Sequence, residues 1–288
     1  MRGRVSDLRG FTLIELVVVI AIAAVVGVFM VFFLATPVNA YFAQSNRSNL
    51  VDSADRIVRS LVPDVRTALP NSLRQAGGGG VVALELLATT GVARYYGAGD
   101  KAGLPPAQQA LEELTIGTAD TDFYTLDQFG PVAANYLAVE NPGSPSAYAL
   151  GGVMTPLPPS FTITALPATF EDHVHFSGAG FDFTNASPTN HAFLVSGPIS
   201  YLCDTAARTL NRYTGYALNA AQPTTDAALM AAGATRSLIA QNVSSCTVTV
   251  VPAPASAQFG QLAIFEATLT GSGETLQVFD EVAVEVLP

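Results

Sequence analysis

The chain has 288 residues, of which 49% are apolar and 12% charged, with a formal net charge of −10. That composition excludes a disordered chain and leaves room for one large folded domain or two modest ones. The acidic balance, with Lys101 the single lysine, excludes a nucleic-acid binder, because neutralising phosphates takes clustered Lys and Arg.

The first element is "LRGFTLIELVVVIAIAAVVGVFMVFFLATP", residues 8–37. No charged side chain occurs from Leu16 to Ala35, twenty residues that as a helix extend about 30 Å, the thickness of a bilayer core. Arg2, Arg4 and Arg9 precede it, so the short end is expected to stay cytoplasmic and the body to be translocated. A secretory signal is the ordinary alternative, since Val38-Asn39-Ala40 offers a small-residue cleavage pattern. Against it, the apolar run is about twice the upper length of a signal core and carries an acid, Glu15, in its first turn.

A carboxylate inside a membrane costs on the order of 3 kcal/mol and is normally paired or functional. Cleavage between Gly10 and Phe11 would create an α-amine four residues before Glu15, next to the acid or offered with it to a neighbouring subunit. The bland alternative places Glu15 at the headgroup boundary, where its cost is small.

"RGFTLIELVVVIAI" resembles the class III signal of type IV pilins and type II secretion pseudopilins. The resemblance implies that prepilin peptidase removes residues 1–10 by cutting after Gly10 and N-methylates Phe11. It implies that Glu15 neutralises the N-terminal amine of an adjacent subunit during assembly, and that residues 11–36 form the transmembrane and assembly helix. The partners implied are prepilin peptidase, other pilins or pseudopilins and an inner-membrane assembly platform. Many major pilins carry a kinking proline within the apolar segment, whereas the first proline here is Pro37, so no kink is expected there. Loss of residues 1–10 would leave 10 basic and 22 acidic side chains, a balance of −12.

Beyond Val38, Leu50, Ala54, Ile57, Val58, Leu61, Val65 and Leu69 recur at helical steps, predicting an amphipathic continuation of the helix over 37–74. Pro63 is expected to bend or interrupt it, and "LPNSL" at 69–73 to end it. A β-rich periplasmic domain is predicted over 75–288. It opens with "QAGGGG", a turn or hinge without the Lys-Ser/Thr ending of a phosphate loop, and "VVALELLATTGVARYY", a strand with a turn. Residues 97–160, rich in Gly, Pro, Ala and Asp, read as loops around short strands such as "NYLAVE".

The last half carries period-two segments: "SFTITAL", "HVHF", "AFLVSGPISYLC", "TLNRYTGYAL", "CTVTVVP", "QLAIFEATLT" and "TLQVFDEVAVEVL". "GSGE" at 271–274 reads as a hairpin turn, and 224–240 as a short helix or helical loop. Cys203 and Cys246 fit no zinc or redox array and are expected to form one disulfide, stapling the base of the insertion between them. The fold class is α+β, a long N-terminal helix packed on an enlarged antiparallel β-sheet domain, which is similar to the pilin fold. "DVRTALPNSLR", "LELLATTGVARYY", "GPISYLC" and "FDEVAVEVLP" resemble the O-type biogenesis proteins of the mannose-sensitive haemagglutinin (MSHA) pilus, which are minor, pseudopilin-like subunits.

Other chemistry finds little support. His173 and His175 in "EDHVHF" share a strand face and can chelate a metal with Glu171 or Asp182, but the sequence supports no third ligand. Glu112, Glu113, Asp120, Asp122 and Asp127 offer oxygen ligands for calcium, which some pseudopilins bind, without EF-hand spacing. No GxSxG or HExxH motif occurs, so no metal, cofactor or catalytic residue is assigned. The expected function is a minor type IV pilin or pseudopilin that initiates or caps a fibre. The alternatives are a fibre-displayed adhesin or ligand-binding module and, ranking lower, a membrane-anchored periplasmic enzyme.

Overall fold

The computed structural model describes residues 11–102, 104–130, 133–143, 147–156, 160–166, 168–253 and 260–285. The expected leader, with Gly10, lies outside the described residues. The chain divides into two compact units, one reaching Asn49 and one starting at Leu50.

Helix α1, Leu13–Arg66, runs through both. In the first unit its 19 residues Leu13–Val31 are apolar apart from Glu15, with a mean hydropathy of 2.9, and none is buried within the chain. They would span about 28 Å, enough for a bilayer core. In the second unit Leu50, Ile57, Leu61 and Val65 recur on one face and enter the main core. Each such side chain contributes roughly 1.5–3 kcal/mol on full burial.

Two expectations about this helix change. Pro63 does not interrupt it, and it ends at Arg66 rather than near 74. Proline in a helix interior costs about 3 kcal/mol or more, through a lost donor and a clash one turn back. Leu61 and Val65, fully buried on either side of Pro63, hold the segment helical against that cost. The last turn then closes on Pro63, whose carbonyl accepts from the Thr67 amide at 3.0 Å and the Thr67 hydroxyl at 2.9 Å.

Strands follow in chain order. β1 (Arg74–Gly78) and β2 (Val81–Arg94) form a hairpin. "QAGGGG" is therefore largely strand, with only Gly79 and Gly80 at the turn. Their φ values of 65° and 90° suit a two-residue hairpin turn, which needs positive φ at both positions. After a single-turn helix α2 (Pro106–Gln109) come β3 (Asp122–Tyr124), β4 (Tyr136–Ala138), β5 (Phe161–Leu166) and β6 (Glu171–Phe176). Then come β7 (His191–Asp204), β8 (Thr209–Thr214), α3 (Asp226–Ala231) and β9 (Thr235–Gln241). β10 (Val243–Val251), β11 (Leu262–Gly271) and β12 (Glu274–Ala283) complete the chain.

The α+β class holds, but the strands make three antiparallel sheets rather than one. The largest has the order β1-β2-β7-β8-β9 with β4 also on β7; the others are β3-β6-β5 and β10-β11-β12. β4 pairs with β7 at residues 193–195 and β8 at 200–204, leaving 196–199 between them. Pro198 lies in that stretch, and proline has no N–H to give a ladder. Residues 224–240 split: Thr225 caps α3 by accepting from the Ala228 amide, and the remainder is β9 rather than helix. Between β11 and β12, Ser272 and Gly273 adopt φ of 50° and 83°, the expected hairpin turn.

The α1 face, β2, β7 and the inner face of β10–β12 share one core that includes Leu84, Ile199, Phe265 and Leu269. A second core, around Phe123, Val174, Phe176 and Phe183, lies under β3 and β6. Cys203, next to last in β7, is disulfide-bonded to Cys246 in β10, so the bridge joins the largest sheet to the C-terminal one.

Candidate functional site

The start of α1 is built by four residues. Phe11 is 80% exposed. Thr12 precedes the helix, and its hydroxyl accepts from the Glu15 amide at 3.4 Å while its carbonyl accepts from the Glu15 and Leu16 amides at 3.1 and 3.2 Å. Thr12-Leu13-Ile14-Glu15 thus has the spacing of a capping box, with Glu15 in the first turn where the helix dipole favours an anion. The threonine to glutamate step was a readable signal of the helix start that the membrane argument alone overlooks.

Glu15 is exposed and followed by an exposed apolar helix face on every side. Chemically, this arrangement offers a carboxylate and a row of Leu, Ile, Val and Phe side chains to lipid or to other helices. Isolated in lipid, the carboxylate costs several times what a surface acid does, so a cation brought to it gains more there than in water.

The other candidate residues serve the fold. His173 and His175 do share a face of β6, but their partner is Asp122 of β3, not Glu171 or Asp182. Nε2 of His173 and Nδ1 of His175 meet Asp122 Oδ1 at 2.9 and 2.8 Å, and the Tyr124 ring stacks on His173 at 4.5 Å. Desolvation acts to raise the Asp122 carboxyl, but hydrogen bonds from His175, Thr121 and His173 outweigh it and hold the pKa below the usual value. Glu171 is buried and accepts from the Tyr96 hydroxyl at 2.8 Å; burial and that carboxylate push the Tyr96 pKa up to about 12. His191 is also buried, which lowers its pKa, and it shares a hydrogen bond with the Thr189 hydroxyl at 2.8 Å.

Three of the acidic loop residues have partners within the protein. Asp120 accepts from the Thr115 amide at 2.7 Å, Asp127 from the Arg94 amide at 2.6 Å, and Glu113 lies 3.8 Å from Lys101. Among the described residues, no group of three or more His, Cys, Asp or Glu is arranged to hold a metal ion.

Residues 7–31 match the family model of the prokaryotic N-terminal methylation motif. The match supports a type IV pilin-like class III signal and covers the segment containing Gly10, Phe11 and Glu15. Comparison with curated proteins and with solved structures returned no match. An N-terminal apolar helix carrying this signal, ahead of a large antiparallel β domain, is the pilin-like arrangement expected. It fits a membrane-anchored, processed subunit with a structural role.

Proposed function

We propose that the chain is a minor pilin or pseudopilin of a Gram-negative envelope, cut between Gly10 and Phe11 by prepilin peptidase and methylated on Phe11. It waits in the inner membrane as a single-pass protein with its β domain in the periplasm. It is then drawn from lipid into a helical bundle of related subunits, where it initiates or caps a fibre. The observation that carries this reading is the methylation motif at 7–31 leading into an apolar helix with Glu15 in its first turn. Apolar packing stabilises such a bundle, and pairing of Glu15 with a neighbour's amine penalises misaligned register, because an unpaired carboxylate would remain in a dry environment.

The narrower likeness to O-type MSHA proteins rests on the four quoted segments, which lie outside the matched motif. Glu15 favours a subunit docked beneath others over one at the outermost tip. The test is Glu15→Ala in the full chain. Incorporation into fibres is expected to fall while the Cys203–Cys246 bridge still forms; undiminished co-purification with the other fibre subunits contradicts the pairing.

A further inference from the structure

The uncharged run of α1 does not stop at Ala35. From Leu16 to Asn46 no Asp, Glu, Lys or Arg occurs, and Arg47 is the first charge after Glu15. As a helix that run extends about 46 Å, well beyond the roughly 30 Å of a hydrocarbon core and close to the 40–45 Å of a bilayer with its headgroups. Residues 36–46 also change character: Thr36, Asn39, Gln44, Ser45 and Asn46 bring uncharged polar groups among Val38, Tyr41 and Phe42.

Val38, Tyr41 and Phe42, at helical steps of three and four, share one face. They are 48%, 71% and 59% exposed, and the Tyr41 and Phe42 rings meet edge to face with centroids 6.0 Å apart. Exposure is not confined to a stripe, since Ala40, Ala43 and Gln44 are exposed as well. A seam for one neighbouring helix is a narrow apolar stripe, whereas a helix solvated by lipid has no preferred side.

Glu15 and Tyr41 are about 39 Å apart along the axis of an unbroken helix. At the average tilt of about 20° that is still about 37 Å along the bilayer normal. Both cannot lie in a core of about 30 Å. One placement keeps both out of hydrocarbon: the carboxylate in one headgroup layer and the phenol in the other, each roughly 4 Å past the core.

We propose that Val38, Tyr41 and Phe42 form an interfacial anchor that binds the phospholipid headgroup layer on the translocated side of the membrane, with the exposed Arg47 at its phosphates. The anchor fixes the depth of the waiting subunit so that Glu15 rests in the opposite headgroup layer. Tyrosine suits such a layer because its ring is apolar and its hydroxyl polar, and a guanidinium bonds phosphate oxygens well. Lipid is the occupant because the face continues the membrane helix without an intervening charge. The inference rests on the single-pass assembly reading and deepens it: Glu15 meets a dry environment only when the subunit leaves the lipid for the bundle.

The experiment uses the absence of tryptophan from the chain. Tyr41→Trp and, separately, Ile14→Trp are made in the full chain and purified after processing. Each is reconstituted at high dilution in phosphatidylethanolamine and phosphatidylglycerol vesicles carrying nitroxide-labelled lipids of graded depth. Both indoles are expected at about 15–22 Å from the bilayer centre, quenched more by headgroup nitroxides than by those near the acyl chain ends. For Tyr41→Trp, water-like emission that no lipid quenches, or strongest quenching from the chain ends, overturns the proposal. Blue-shifted emission that no lipid quenches also overturns it, because protein helices would then cover the face. So does an Ile14→Trp indole within the core. In each of these cases a chain that begins at Phe11 leaves the assembly reading standing, whereas a mature chain that begins at Tyr41 overturns both.

Discussion

Asp64, near the end of α1, accepts two hydrogen bonds from Arg212 of β8, from Nε at 2.6 Å and from a terminal nitrogen at 3.1 Å. The Tyr201 hydroxyl of β7 donates to the same carboxylate at 2.6 Å and lies 2.8 Å from Ser60 Oγ. One acid therefore ties the helix to two neighbouring strands of the largest sheet. The site is mostly buried: burial and the Asp64 carboxylate raise the Tyr201 pKa, so the phenol stays a donor well into alkaline solution. Asp64→Asn is expected to cost about 2 kcal/mol, the range for hydrogen bonds to a charged group. Denaturant unfolding of Asp64→Asn, Arg212→Met and the double variant should show strong non-additivity, the double losing less than the sum. Additive losses would mean that the three groups do not act as a unit.

The Cys203–Cys246 bridge closes a loop of 43 residues in sequence separation and joins two sheets. In the chain-entropy treatment a loop of this length is worth about 4 kcal/mol. Replacing both cysteines with alanine should lower the unfolding free energy by that order, with the denaturation midpoint falling and the far-ultraviolet spectrum at low denaturant unchanged. A midpoint indifferent to the bridge would show that the sheets are held by their shared core alone.

Asp122 gives the β3-β6-β5 sheet a definite acid response. Its folded pKa lies below the ordinary carboxylate value, because hydrogen bonds from His175, Thr121 and His173 outweigh the opposing effect of desolvation. The unfolded chain therefore binds the proton more readily, so stability rises with pH across that window. The contribution is present above the unfolded pKa and is lost as pH falls through the depressed one. Asp122→Asn should flatten the acid side of the stability profile and leave the slope at alkaline pH unchanged. A variant with the parent's full acid slope would assign that slope to other carboxylates.

What could be read in advance follows from how far each signal reaches along the chain. The membrane segment and the strands of the last half announced themselves because their periods are local, as in "QLAIFEATLT", where alternate residues enter the core. β9 did not, because most of its residues, Thr235 to Leu238 included, are exposed and leave no alternation to read. The partition into three sheets is equally hidden: β2 meets β7 more than a hundred residues later, and register at that distance has no local trace. Residues 97–160 hold only three-residue strands, too short to show a period.

The polar interior was legible only in part. Glu85 sits in the apolar run "VVALELL" with no sign of what neutralises it. In the fold it is fully buried, meets Arg74 Nε at 2.6 Å across the β1–β2 hairpin and accepts from the Tyr216 hydroxyl at 2.8 Å. The Arg74 guanidinium lies 3.5 Å from the centre of the Tyr148 ring and donates to the carbonyls of Asn219 and Ala220. Those partners are far apart in sequence, and only the folded pairing brings them together. The threonine capping α1, by contrast, was in plain view three residues before Glu15.

Mass spectrometry of the mature N-terminus bears on the function most directly. A chain starting at Phe11 and carrying one methyl group on its α-amine is the expected species, with residues 1–10 removed. A chain starting at Tyr41, after the Val38-Asn39-Ala40 pattern, would contradict the pilin reading, since it would have discarded both the apolar helix and Glu15.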